Sequence, residues 1–294
     1  MNDSILDLIG NTPLVKAQTL VKNPNVALYF KLEGDNPGGS VKDRAAYNMI
    51  KSALDRGDIT KDTKLIEATS GNTGIALAMI AGIFKLDLEL VMPENATIER
   101  VKTMRAYGAK VTLTDGDGGI EGARDYAEEK MAGGDYFMFN QFSNNDNWKA
   151  HYKTTGPEIW EDTKHKITHF VSSMGTTGTI MGTSGFLKEQ NKDIQIVGVQ
   201  PTDNSKIPGI RKWPEAYLPK IFNPEKVDRI LEVSEADAVA MTKRLATKEG
   251  IFAGMSSGGA TAAAVRLCEE LEEGLVVSII CDRGDRYLSS TIFD

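Results

Sequence analysis

Three times along this chain a short apolar run gives way to a cluster of Gly, Ser, Thr or Asn, and then to apolar residues at helical spacing. Residues 26–32 lead to Asn36, Gly38, Gly39 and Ser40, and Val41, Ala45, Ala46, Met49, Ile50 and Ala53 follow at helical intervals. Residues 65–68 lead to Thr69, Ser70, Gly71, Asn72, Thr73 and Gly74, and the run after them is almost wholly apolar, as in a buried helix. Residues 167–171 lead to Ser172, Ser173, Gly175, Thr176, Thr177, Gly178 and Thr179, ahead of a helical pattern over 180–189. Strands that alternate with helices at this spacing form parallel sheets with helices on both faces. The fold class is therefore α/β, built from open, twisted, mainly parallel sheets. Two runs of the pattern, split near 141–147, predict two such units with a site between them.

Other classes are excluded by bulk properties. At 294 residues the chain can bury a sizeable core. Its net charge of −7, with no dense Lys or Arg run, argues against nucleic-acid and anionic-membrane partners. The start lacks a basic segment followed by a long apolar one, and no apolar run reaches membrane length. Cys268 and Cys281 show no metal-ligand spacing, which favours a reducing cytoplasm over a disulfide framework. His151, His165 and His169 form no ligand motif and read as polar or half-buried residues, so no metal is expected.

The junctions carry the chemistry. Ser40 with Asp43 three residues on predicts a variant capping box. Lys42 then falls in the first turn of a helix, where the dipole disfavours a cation. A lysine so placed is inclined to lose its proton, and a neutral amine is what forms a Schiff base. Residues 175–179 offer two glycines for backbone approach and hydroxyls on Thr176, Thr177 and Thr179 at a helix N-terminus, which holds anions. The loop lacks the P-loop Lys and the dinucleotide spacing, so it suits a fixed phosphate and not a reacting nucleotide. Residues 69–74 form a second anion cradle, with the Asn72 amide in reach of a ring substituent or a carboxylate. An aldehyde cofactor carrying a phosphate, together with a substrate carboxylate, satisfies all three. Pyridoxal phosphate with an amino acid is such a set.

These motifs in this order, with Gly254-Met255-Ser256-Ser257-Gly258 and the opening Ile9-Gly10-Asn11-Thr12-Pro13-Leu14, resemble the fold-type II pyridoxal-phosphate enzymes, more closely the cysteine synthases (O-acetylserine sulfhydrylases). Residues 207–214 and 281–289 are similar to the B-type branch, which accepts thiosulfate as well as sulfide. The resemblance implies a smaller domain over 36–142, whose part from about 91 to 131 is mobile, and a larger cofactor-binding domain from 1–35 and 143–294. It implies that Lys42 holds the cofactor and moves the substrate α-proton. Asn72 would bond the cofactor 3′-oxygen, Gly175, Thr176, Thr177, Gly178 and Thr179 the phosphate, and Ser256 the pyridine nitrogen, with Ser257 the next candidate. Thr69, Ser70, Thr73 and Gln141 match the substrate-carboxylate site.

A neutral Ser at the ring nitrogen makes a weaker electron sink than an Asp, which suits prompt loss of a β-leaving group. The implied reaction is β-replacement, converting O-acetylserine and sulfide to cysteine, and thiosulfate to S-sulfocysteine. Thiosulfate is a bulky dianion and calls for an Arg, which points to Arg211, with Cys281 and Asp282 shaping the same pocket. A homodimer follows from the family likeness alone. The competing readings are a cystathionine β-synthase-like or serine dehydratase-like enzyme, a non-enzymatic binding protein on the same scaffold, and a nucleotide-binding α/β protein.

Overall fold

The computed structural model describes residues 2–293. The chain opens with two antiparallel strands, β1 (Leu14–Lys16) and β2 (Val26–Leu32). Helix α1 (Lys42–Arg56) follows and ends on Gly57 in the left-handed conformation. Next come β3 (Lys64–Ala68), α2 (Asn72–Phe84), β4 (Asp87–Pro93), α3 (Ile98–Ala106), β5 (Lys110–Thr114), α4 (Gly119–Ala132) and β6 (Tyr136–Phe137). Helices α5 (Asn145–Lys153) and α6 (Thr155–Asp162) lead to β7 (His169–Ser173), α7 (Gly178–Gln190) and β8 (Gln195–Pro201). The chain finishes with β9 (Arg229–Val233), α8 (Glu235–Arg244), α9 (Met255–Glu270) and β10 (Gly274–Ile280).

The strands form two sheets. One has the order β1-β2-β10-β7-β8-β9 and is parallel apart from β1, and the other is all parallel with the order β5-β4-β3-β6. Each is covered on both faces, as purely parallel pairing requires. In the larger sheet, Phe170, Ile196 and Val277 face Ile159 of α6 and Ile180, Met181 and Leu187 of α7. Their neighbours Val171, Val197 and Val276 point the opposite way, onto α8 and α9. In the smaller sheet, Leu65, Leu88 and Leu90 pack with α1 and α2, while Ile66 and Val91 meet Ala123 and Ala127 of α4.

Three local features depart from the sequence reading. Strands β1 and β9 were not expected. Both lie at sheet edges, and only Val233 among their residues is buried, so neither shows the apolar run of a central strand. Residues 136–139 read as one strand, but β6 stops at Phe137 because the N–H groups of Phe139 and Asn140 donate to the Glu67 carboxylate instead of to a neighbouring strand. Helix α1 is capped at Val41 and not through the predicted Ser40–Asp43 box: Ser40 Oγ accepts from the Lys42 N–H at 3.2 Å, and the Asp43 carboxylate reaches back to the Gly38 N–H at 2.5 Å.

Candidate functional site

The N-termini of α1, α2, α7 and α9 converge on one cavity of about 290 Å³. Each follows a small-residue junction, so unpaired N–H groups and four positive dipole ends face the same space. Lys42, the first residue of α1, contributes to the floor. Burial is the main influence on its amine and pushes the pKa below the usual 10.5; Cys281, Asp282 and Glu33 partly oppose this. Desolvation therefore favours the neutral amine.

Gly175, Thr176, Thr177 and Thr179 line the opposite wall. Thr177 has φ +70°, a strained conformation for a β-branched residue, and its buried hydroxyl has no protein partner. Gly178 stands behind the wall, where an added Cβ would overlap the Asn147 amide; at Gly175 it would lie 2.6 Å from the Gly209 carbonyl oxygen. The loop thus presents an unsatisfied hydroxyl and a helix N-terminus at a point where no larger residue fits.

Two residues with no role in the sequence reading hold this loop. Asn147 Nδ2 donates to the Gln141 carbonyl at 2.8 Å and to Thr176 Oγ1 at 3.2 Å. His151 bonds Thr179 Oγ1 through Nε2 at 3.3 Å and Thr155 Oγ1 through Nδ1 at 2.9 Å. His151 is fully buried, not the polar or half-buried residue expected; burial and the Arg44 charge push its pKa down to about 3, so it stays neutral. Neither position carries a sequence signal beyond lying on an amphipathic helix, because each acts on a loop about 28 residues further along the chain.

The third wall comes from the β3–α2 junction. Thr69, Ser70, Asn72 and Thr73 line it together with Gln141, and Thr73 Oγ1 donates to Gln141 Oε1 at 2.8 Å. Glu67 positions this region from below by accepting the Phe139 and Asn140 N–H groups; burial raises its carboxyl to about 7 against those bonds. Ser256, in the first turn of α9, also lines the cavity. Its neighbour Ser257 is fully buried and spends its hydroxyl oxygen on the Cys281 N–H at 2.9 Å, which leaves Ser256 as the serine facing the space.

Arg211 lies at the rim, exposed, with its guanidinium 5.1 Å from the centre of the Trp213 ring. Lys212 beside it pairs with Asp203 and Glu232, whereas no carboxylate pairs with Arg211 among the described residues. Cys281 joins the lining, its thiol pushed up to about 11 by burial, and Asp282 lies buried behind it. The structure therefore brings together every predicted site residue, with Gly178 in support. No group of His, Cys, Asp and Glu able to hold a metal is present among the described residues.

The profile of the pyridoxal-phosphate dependent enzymes matches residues 5–282. The chain belongs to that family. It is 56% identical to cysteine synthase B of Pseudomonas aeruginosa over 291 residues, which is 99% of this chain and 97% of that protein. It is 55% identical to cysteine synthase B of Escherichia coli over 285 residues, 97% of this chain and 94% of the other. The crystal structure of a cysteine synthase from Entamoeba histolytica superposes with a TM-score of 0.94 at 36% identity, covering all of this chain and 91% of that one.

Pyridoxal phosphate is the family's cofactor, and the cavity fits it. Lys42 supplies an amine for the aldehyde, and the unsatisfied Thr177 hydroxyl at the start of α7 suits a phosphate. The volume of about 290 Å³ is close to the lower end of small-molecule sites.

Proposed function

We propose that this protein is a pyridoxal-phosphate-dependent cysteine synthase, forming L-cysteine and acetate from O-acetyl-L-serine and sulfide, and S-sulfocysteine when thiosulfate replaces sulfide. The observation that carries this reading is the meeting of four helix N-termini around one desolvated lysine, in a chain 55–56% identical to cysteine synthases B. When bound, the cofactor supplies the electron sink that lets the α-proton and the β-acetate leave. Lys42 anchors it and moves the proton at the α-carbon. Residues 175–179 and the α7 N-terminus hold its phosphate, Asn72 its ring oxygen and the neutral Ser256 hydroxyl its ring nitrogen. Thr69, Ser70, Thr73 and Gln141 would hold and orient the substrate carboxylate.

The division into a smaller domain over 36–142 and a larger one from 1–35 and 143–294 is supported by sheet membership. Strands β3–β6 make the smaller sheet, and β1, β2 and β7–β10 the larger. Arg100 on α3 and Ile120, Glu121 and Arg124 on α4 also reach the cavity. On this reading the segment from about 91 to 131 closes over bound substrate, because a ligand touching both units favours the state with more contacts. Crystal structures with and without a bound amino acid should differ by a shift of this segment against β7–β10; unchanged superposition would dismiss the closure. We also read the protein as a cytoplasmic homodimer, on the family likeness and on its free Cys268 and Cys281.

Product identification is the direct test. O-acetylserine with sulfide should yield cysteine, and with thiosulfate S-sulfocysteine, while serine alone should yield neither pyruvate nor ammonia. Pyruvate from serine, or a thioether from serine and homocysteine as the favoured product, would replace this reading with one of the alternatives. Arg211→Ala should then lower kcat/KM for thiosulfate roughly ten- to a hundredfold, the loss expected for one charge-assisted contact, with little change for sulfide. Equal losses for both donors would remove Arg211 from the choice of sulfur source.

A further inference from the structure

Asn72 lines the catalytic cavity, yet both ends of its amide are already engaged by residues from the end of the chain. Its Nδ2 donates to Asp282 Oδ2 at 2.7 Å, and its Oδ1 accepts from an Arg286 guanidinium nitrogen at 2.5 Å. A carboxylate only accepts and a guanidinium only donates. An asparagine amide between two such groups has one workable orientation, whereas an amide free of them flips between two. In the fixed orientation Oδ1 is turned to Arg286, and one Nδ2 hydrogen remains as the donor the side chain has left to offer.

Both partners are themselves held. Asp282 is buried, bridges to the backbone of Ser40, and accepts the Tyr287 hydroxyl at 2.6 Å. Arg286 also donates to the Gly38 carbonyl, in the turn that leads into Lys42. It reaches Asn72 from a neighbouring cavity of about 550 Å³, so its side chain is half-buried and not part of either core. One guanidinium thus ties together the Asn72 amide and the loop before Lys42, across 214 residues of sequence.

We propose that Arg286 is a positioning residue that orients the Asn72 amide, with its donor toward the cofactor's ring oxygen. This rests on the reading of Asn72 given above. Without Arg286 only the Asp282 contact restrains the amide, so its plane turns about that one bond and its remaining donor is no longer held toward an oxygen that carries negative charge. The ring oxygen then loses the hydrogen bond that stabilises its deprotonated form, which alters both the affinity for the cofactor and the pH at which its visible band changes.

The experiment is a double-mutant cycle on cofactor binding. Apoprotein of the parent, Arg286→Met, Asn72→Ala and the double variant is titrated with pyridoxal phosphate, and the visible band of each is followed against pH. Circular dichroism and thermal melting of the apoproteins establish that each is folded. Arg286→Met is expected to weaken cofactor binding about tenfold and to shift the band's pH midpoint upward. Adding it to Asn72→Ala is expected to change neither quantity further. Arg286→Lys, which keeps the charge but not the planar fork, should recover only part of the loss.

Losses that multiply in the double variant would show that Arg286 acts independently of Asn72 and overturn the proposal. So would Arg286→Met binding and titrating as the parent does, or Arg286→Met and Arg286→Lys behaving alike. If Asn72→Ala alone leaves binding and spectrum unchanged while the parent binds the cofactor on Lys42, the assignment of Asn72 fails without harm to the cysteine synthase reading.

Discussion

Lys42→Ala should leave a folded protein whose turnover of O-acetylserine falls by at least about a thousandfold, because on the proposed function it loses both the cofactor's covalent anchor and the base that moves the α-proton. Stability is expected to stay level or rise slightly. No ion pair or side-chain hydrogen bond ties the Lys42 amine to a protein group among the described residues, and burial already pushes its pKa down. Removing an amine that pays desolvation without a protein partner costs little beyond lost packing. Lys42→Arg is a sharper control, since it keeps the length and the charge but offers no neutral amine at working pH. Borohydride treatment of the parent with bound cofactor, followed by peptide mapping, should place the fixed label on Lys42 and on no other lysine. A label elsewhere, or a Lys42→Ala variant with more than a tenth of parental turnover, would remove this residue from the centre of the site.

Much of this site is written locally in the sequence. Lys42, Asn72, the 175–179 loop and Ser256 each sit where a strand or turn yields to a helix, and that transition is visible in the residues themselves. The open parallel sheet then gathers such junctions at the carboxyl ends of its strands. What holds the junctions is not legible in the same way. Asn147 and His151 look like ordinary residues of α5, and their partners Thr176, just before α7, and Thr179, in its first turn, become apparent only once the two helices pack. Glu67 reads as a lone charge interrupting the apolar run of β3, yet it lies buried beneath the turn at Asn140, which has φ +50°. Arg286 reads as one charge in a polar tail. The edge strands β1 and β9 escaped for a related reason: largely exposed, they lack the buried apolar run that marks β7, β8 and β10. Even the start of α1 was right in place and different in detail, since Asp43 is drawn to Gly38 by the fold of the preceding turn.

Arg44→Met is expected to cost about 3–5 kcal/mol of stability at neutral pH, the range for breaking one side of a buried ion network. Arg44, two residues beyond Lys42, is 2% exposed and faces Glu33, which is 0% exposed. Its Nε and one terminal nitrogen grip the two Glu33 oxygens at 2.7 and 2.8 Å, and the guanidinium also meets both Glu158 oxygens at 2.5 and 2.7 Å. Thr12 Oγ1 donates to Glu33 at 2.7 Å, and Lys31 pairs with Glu158 at 2.9 Å. The network therefore fastens the segment around Thr12 and helix α6 to the first turns of α1. Burial by itself would raise the Glu33 pKa, but the Arg44 charge and hydrogen bonds win and hold it at about 2. A depressed carboxyl pKa contributes stability that is present above its ordinary value of 4.5 and is lost as pH falls through about 2. In Arg44→Met that arrangement reverses: burial stays and the cation goes, so the Glu33 pKa rises above 4.5 and the buried charge becomes costlier as pH rises. The gap between parent and variant should hence be widest near pH 8 and narrow toward pH 5, where the variant's Glu33 takes up a proton. Urea unfolding of the apoproteins at the two pH values measures it. Adding Glu33→Gln to Arg44→Met should recover part of the loss at pH 8 and little at pH 5. A penalty of the same size at both pH values would mean that lost packing, and not the stranded Glu33 charge, is what Arg44 prevents.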